Sequence, residues 1–275
     1  MKKNVLFFSP TFYDLPLNEN IKKKYDNLSE VANVTVLAFS SQKKIHSESK
    51  TTFYLNKKNK SRIFNYLKIF FVSYFQIPKL ISRYEIEIVT FQDPVTSFLG
   101  VYKIKKKYKD VKIVIESHGD FINTLELEKN LTFPNLYKNL FSRMASYTIN
   151  CADMLRAVSS STEEQALSFN PSKRVVRFPA WIDFEIFSNI DPMRDGSGKF
   201  KILFIGSVTD RKKPHMIIDA LPELISDQVE LNIVGPTPNQ NYLESLKEKI
   251  KSKNVEDRVF IPVSYTHLRA HETCV

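Results

Sequence analysis

The chain has 275 residues, 43% of them hydrophobic and 25% charged, enough to bury a sizeable core in one large domain or two ordinary ones. No stretch reaches the roughly 18 apolar residues that span a bilayer. The two cysteines, Cys151 and Cys274, form neither a disulfide framework nor a metal motif, which fits a reducing cytoplasm.

A net charge of +10 and a pI near 9.3 favour polyanionic partners, or a lysine-rich solvated surface. The histidines are scattered, so neither a zinc site nor any other metal site or cofactor is expected. Lysines are spread over many segments and no DNA- or RNA-binding motif occurs, so no nucleic-acid partner is expected. A basic nucleic-acid-binding module stays as the non-enzymatic alternative.

The first residues are basic and then apolar over Val5–Phe8, but Ser9-Pro10 ends the run too early for a signal peptide. A first strand is predicted there. A helix follows over Asn18–Glu30, with Ile21, Tyr25 and Leu28 on one face, and a buried strand over Val34–Ala38. Residues 40–60 are expected as a loop or weak strands. Arg62–Arg83 predicts a long aromatic and basic helix, broken near Pro78. Next come a strand at Ile86–Val89, a helix at Pro94–Tyr108 and a strand at Val111–Glu116. Helical stretches are expected after Asp120 through Asn150. A strand at Leu155–Ser159, a helix at Thr162–Phe169 and a strand at Arg174–Phe178 complete this half.

Residues 189–198 collect Asp, Pro, Ser and two of the six glycines, and are the best linker candidate. Beyond them strands at Lys201–Ile205, Val229–Val234 and Arg258–Ile261 alternate with helices at Pro214–Ile225 and Gln240–Lys251. Alternation of this kind predicts an α/β chain of two doubly wound, Rossmann-like domains, with helices on both faces of parallel sheets. The second domain is expected to be incomplete. Domains are placed at 1–190 and 199–262, with 263–275 a non-native tail. Val263–Thr273 resembles one reading frame of a transposon-end sequencing adapter; a genuine short tail is the alternative.

Parallel sheets bind ligands at the carboxyl ends of their strands. Three places there carry chemistry. Gly206-Ser207 ends a strand and is followed by Arg211-Lys212-Lys213-Pro214. Three cations at a helix start oppose its dipole by about 0.3–1 kcal/mol each, and a bound diphosphate would compensate them. A solvated basic turn is the alternative. Gly235 ends the next strand, as a close approach to ligand or as a plain turn. His118-Gly119-Asp120 follows a buried strand, where His118 can orient a hydroxyl or buffer charge, or where Ser117 or Asp120 merely caps a helix.

These pieces together resemble glycosyltransferase family 4 and its GT-B fold. The likeness runs from Met1 to about Pro262. It is strongest in Ile202–Gly206, Arg211-Lys212-Lys213, Ile217–Leu221, Leu231–Gly235 and Val255–Phe260. The first half adds Phe91-Gln92-Asp93-Pro94, His118-Gly119-Asp120, Ala152-Asp153 leading to Ala157-Val158-Ser159, and Phe178–Asp183, which is similar to the family's crossover segment. The resemblance implies a retaining transferase that takes a sugar from a UDP- or GDP-linked donor to a glycan or lipid-linked acceptor in surface polysaccharide synthesis, without a metal. A GT-B nucleotide-sugar epimerase is the enzymatic alternative.

By the same resemblance His118 contacts the donor sugar in the interdomain cleft, and Asp120 lies on the acceptor side. Lys212 and Arg211 meet donor phosphates, with Gly206, Ser207 and Gly235 forming the donor loops. The sequence departs from the family in three places. Ser207 stands where Arg is frequent. The loop Ser9–Pro16 lacks glycine. The Glu-x7-Glu motif would lie beyond Pro262, so this fragment is expected to be inactive. Segment 62–83, aromatic with cations at both ends, predicts either a core helix or a contact with the inner face of the plasma membrane.

Overall fold

The computed structural model describes residues 2–48, 50–59, 61–121, 134–182, 184–188, 198–224 and 228–262. The linker candidate apart from Gly198, the tail beyond Pro262 and the first part of the helical stretch expected after Asp120 lie outside those residues. The chain divides into two compact units, one running to Phe184 and the other starting at Glu185.

In the first unit the elements are β1 (Lys3–Phe12), α1 (Glu19–Val31), β2 (Ala32–Ser40), β3 (Lys44–Glu48), β4 (Thr51–Lys57), α2 (Arg62–Tyr84), β5 (Ile88–Phe91), α3 (Phe98–Lys107), β6 (Lys112–Ser117), α4 (Pro134–Cys151), β7 (Met154–Ala157), α5 (Ser160–Phe169) and β8 (Val175–Arg177). The strands make one sheet in the order β3-β4-β2-β1-β5-β6-β7-β8, parallel except for β3. Helices cover both faces. On one side Leu6, Phe8, Phe91, Ile113 and Ile115 pack with the buried faces of α2, α3 and α4. On the other, Val34, Val36, Phe53 and Leu55 pack with Ile21 and Tyr25 of α1. Coverage on both sides is why β2 is buried over every residue from Val34 to Ser40. Helix α1 starts where the Asn18 side chain accepts the Ile21 N–H, leaving its apolar stripe facing the sheet.

One open alternative is decided and two local expectations need correction. Of the loop or weak strands expected over residues 40–60, the structure has strands: β4 pairs in parallel with β2 and buries Phe53 and Leu55 despite its lysine-rich flanks. Helix α2 runs unbroken through Pro78 to Tyr84. Pro78 cannot donate to the Tyr74 carbonyl, but the turn is held by buried Ile77, Leu80 and Ile81 and by the Tyr108 hydroxyl, which donates to the Pro78 carbonyl at 3.1 Å. The helix expected from Pro94 starts at Phe98, because Asp93 accepts the N–H groups of Val95 and Thr96 and closes a turn first.

The second unit holds α6 (Glu185–Ser188), β9 (Phe200–Ile205), a 3-10 turn at Asp210–Lys212, α7 (Pro214–Ala220), a second 3-10 turn at Leu221–Glu223, β10 (Val229–Val234), α8 (Gln240–Ser252) and β11 (Val259–Phe260). Its parallel sheet has the order β11-β10-β9. Ile218 of α7 and Leu246 and Ile250 of α8 close over Leu231 and Ile233. The helix expected to reach Ile225 ends at Ala220; Pro222, without an N–H, sits in the tighter turn that follows. Among the described residues, helices cover one face only. Leu203, Ile205 and Phe260 are exposed on the other, over an open depression of about 590 Å³ whose lining has no titratable side chain.

Candidate functional site

Strand order in the first unit reverses at β1, which has β2 on one side and β5 on the other. At such a switch point the loops leaving two adjacent strands diverge and open a crevice. Polar side chains collect at the carboxyl ends there. The Gln92 side-chain oxygen, just after β5, accepts from the hydroxyls of Ser9 and Thr11 at the end of β1. Asp93 follows, half-buried. Burial pushes its carboxyl up, opposed by hydrogen bonds from Thr96 and Val95 and by the nearby His118.

One strand further on, Glu116 of β6 stands in register with Arg156 of β7. Both point to the same sheet face, and both are nearly inaccessible, at 7% and 9% exposure. Arg156 Nη1 lies 3.1 Å from Glu116 Oε2, and His118 Nε2 lies 2.7 Å from the same oxygen. Arg156 Nη2 donates to the Pro179 carbonyl at 3.0 Å, and the guanidinium sits 4.1 Å from the Phe178 ring centroid. Burial pushes the Glu116 carboxyl up. The bond from His118 and the charges of Arg156, His118 and Lys24 outweigh it and hold the group below its ordinary range. The field of Glu116 also reaches Tyr25 of α1, whose phenol is raised first by burial and then by Tyr13 and Glu116.

His118 therefore stands at the strand end where the sequence predicts it, partly exposed, with its ring anchored. Asp120 accepts from the Gln165 side chain of α5 at 2.6 Å, so it ties the loop after β6 to that helix. No spacing rule pointed to Glu116, Arg156 or Asp93 as site residues. Arg156 is separated from Glu116 by forty positions and becomes its neighbour only through strand register.

In the second unit Gly206, Ser207 and Gly235 lie together at the ends of β9 and β10. The Gly206 N–H donates to the Val234 carbonyl at 3.0 Å, and the Val208 N–H to the Pro236 carbonyl at 2.8 Å. Both glycines have positive φ, +151° and +153°. A Cβ on Gly235 would stand 1.9 Å from the Gly206 carbonyl oxygen. Gly235 is thus required by its neighbour's backbone, which is reason enough for glycine there without any ligand.

Arg211 and Lys212 are exposed in the 3-10 turn that Asp210 opens, and Lys213 is left-handed at φ 52° before Pro214 starts α7. His215, one residue into α7, shares its Nδ1 with the Tyr242 hydroxyl at 2.8 Å. Among the described residues no group of three or more His, Cys, Asp or Glu is placed to hold a metal ion, and no helix is long and apolar enough to cross a membrane.

Comparison with curated proteins finds no match. Among solved structures, sucrose-phosphate synthase from Thermosynechococcus elongatus shares the fold at a TM-score of 0.66 with 12% identity, over 94% of this chain and 70% of that one. HepE of Anabaena, in complex with UDP, aligns at a TM-score of 0.60 with 14% identity, over 93% and 68%. The lipopolysaccharide outer core galactosyltransferase WaaB aligns at 0.59 with 17% identity, over 94% and 67%. These likenesses show the GT-B fold. The model of Glycosyl transferases group 1 matches residues 189–267, and that of Glycosyltransferase Family 4 matches residues 30–186, more than half of the chain. The chain belongs to glycosyltransferase family 4.

Proposed function

We propose that this protein is a retaining glycosyltransferase that passes a sugar from a UDP- or GDP-linked donor to a glycan or lipid-linked acceptor in surface polysaccharide synthesis. The observation that carries the donor side is the second unit's pair of glycine-ended strands beside the exposed Arg211–Lys212 turn. A departing nucleoside diphosphate develops negative charge on its phosphates. Arg211 offers a planar fork to that charge and Lys212 a point cation. Helix α7 has only seven residues, so its dipole adds little and the side chains carry the neutralisation. UDP in the HepE structure, and UDP with glucose in a second, support a uridine donor. The family likeness supports retention at the anomeric carbon. On the first unit, His118 meets the donor sugar, and Asp120 shapes the acceptor side through its tie to α5.

Titration calorimetry with UDP and with GDP tests the donor site. Lys212→Ala is expected to weaken the tighter of the two by about 10- to 100-fold, the loss of one charge-assisted contact. An unchanged affinity, or no binding of either nucleotide by the parent, removes Lys212 or the whole donor reading respectively.

The lipid side rests on α2. Its inner face is core, as Ile69, Val72, Ile77, Leu80 and Ile81 show. An outer stripe of Phe64, Leu67, Phe71 and Phe75 stays in solvent, with Phe71 at 56% and Phe75 at 57% exposure. Phe71 and Phe75 stack on each other, and Lys103 of α3 sits over the neighbouring Tyr74. Aromatics backed by lysines suit an anionic bilayer surface, where rings enter the interface and ammonium groups meet head groups. Phe71→Glu should cut sedimentation with phosphatidylglycerol-containing vesicles by tenfold or more and leave the melting temperature in place. Equal sedimentation of variant and parent would dismiss membrane docking.

A further inference from the structure

We propose that Glu116 and Arg156 are positioning residues for His118, and that they lock its neutral ring as the Nε2–H tautomer with Nδ1 left as a hydrogen-bond acceptor. Arg156 is a permanent cation, 3.1 Å from Glu116 Oε2 and held from its other side by the Pro179 carbonyl and the Phe178 ring. Beside that cation, Glu116 stays a carboxylate, which can only accept hydrogen bonds. The 2.7 Å contact between Glu116 Oε2 and His118 Nε2 is too short for two acceptors, so the proton of that bond is on Nε2. Once Nε2 is spent on Glu116, the neutral imidazole has its lone pair on Nδ1. A hydroxyl meeting the ring through that atom is therefore held as a donor.

Register makes the lock rigid. Glu116 and Arg156 are opposite each other on two parallel strands, so neither can shift without moving the ladder. Because Arg156 also grips Pro179 and Phe178, residues beyond β8 are tied to the same ring orientation. That His118 meets a sugar hydroxyl rests on the donor reading above; the tautomer does not.

The test is proton–nitrogen correlation spectroscopy of the histidine rings in the full chain, assigned by a His118→Gln variant. The expected spectrum has His118 protonated at Nε2 and bare at Nδ1, with a downfield, exchange-protected Nε2 proton. Glu116→Gln should abolish that protection, because an amide can turn either its NH2 or its carbonyl to the ring. If that variant unfolds, the double change Glu116→Gln with Arg156→Gln keeps similar volumes without a lone buried charge, and should show the same loss. A His118 ring protonated at Nδ1, or an Nε2 proton equally protected in the folded variant, overturns the proposal. A lock that is present in a protein binding no UDP or GDP would defeat the donor reading and leave this assignment standing.

Discussion

Gly235→Ala is expected to destabilise the second unit by about 4 kcal/mol, far more than alanine at the equivalent end of β9. The added methyl would stand 1.9 Å from the Gly206 oxygen and 2.6 Å from its carbonyl carbon, both backbone atoms. Neither can swing away as a side chain would. Moving Gly206 breaks its bond to the Val234 carbonyl, and the next link, Val208 to the Pro236 carbonyl, is buried with Val208. The clash adds to the backbone cost of a non-glycine residue at φ +153°, of order 1–3 kcal/mol. Gly206→Ala carries that backbone cost alone, because the nearest atom to its Cβ is a Phe204 ring carbon at 3.9 Å. Guanidinium unfolding of both variants gives the comparison. Equal losses would mean that the strand ends do not approach as closely as the structure has them. The same substitution should loosen the Gly206–Ser207 loop, so diphosphate affinity falls with stability.

The second large effect is at the other unit's buried pair. Arg156→Met should cost about 3–5 kcal/mol at neutral pH, the usual result of stripping one partner from a buried ion pair. The pH dependence follows from Glu116. In the parent its carboxyl lies below the ordinary 4.5, because His118 and Arg156 outweigh burial. A depressed carboxyl adds stability that is present above the unfolded value and is lost as pH falls through the folded one, so the parent weakens in acid, below about 4.5. Without Arg156 one of the charges that oppose burial is gone, and the carboxyl rises from its parent value. The variant then regains stability relative to the parent as the group takes up its proton. Urea unfolding at neutral pH and near pH 4 should show the difference between the two proteins shrinking in acid. A difference independent of pH would place the cost in lost packing against Phe178 instead. Replacing both partners by apolar residues, Glu116→Leu with Arg156→Met, should recover most of the stability, since no charge is then left alone.

The alternation of strands and helices was legible because it is a local property. Val34–Ala38 reads as a strand from its own residues: a run of β-branched and apolar side chains is satisfied between two covered faces. The same holds for β6, while β9 and β10 read as strands from the same residue types although, among the described residues, only one face of their sheet is covered. Where tertiary contacts outvote local preference, the residues alone mislead or leave the choice open. Phe53 and Leu55 belong to a strand because β2 offers a partner edge and α1 a cover, although lysines flank them. Pro78 reads as a break, yet α2 continues because the residues around it are locked in the core. Pro222 reads as helix interior in a pattern that extends to Ile225, and there the missing N–H does end the helix.

The site divides in the same way. His118 and Gly206 were legible as candidates because each follows directly on a strand, and the Arg211–Lys212 step because it lies in the loop between β9 and α7, at the end of a parallel strand where ligands bind. The sequence by itself determined the α/β class, the run of parallel strands and the cations that precede Pro214, all functions of neighbours within a few residues. Only the tertiary structure decided that Glu116 faces Arg156, that Gln92 meets Ser9 at the switch point, and that Gly235 is glycine because Gly206 passes beneath it. Each of those pairs is joined by strand register across 29 to 83 positions of chain, from Gly206 and Gly235 at the near end to Ser9 and Gln92 at the far end. Register is set by how whole faces bury, and no short stretch of residues contains it.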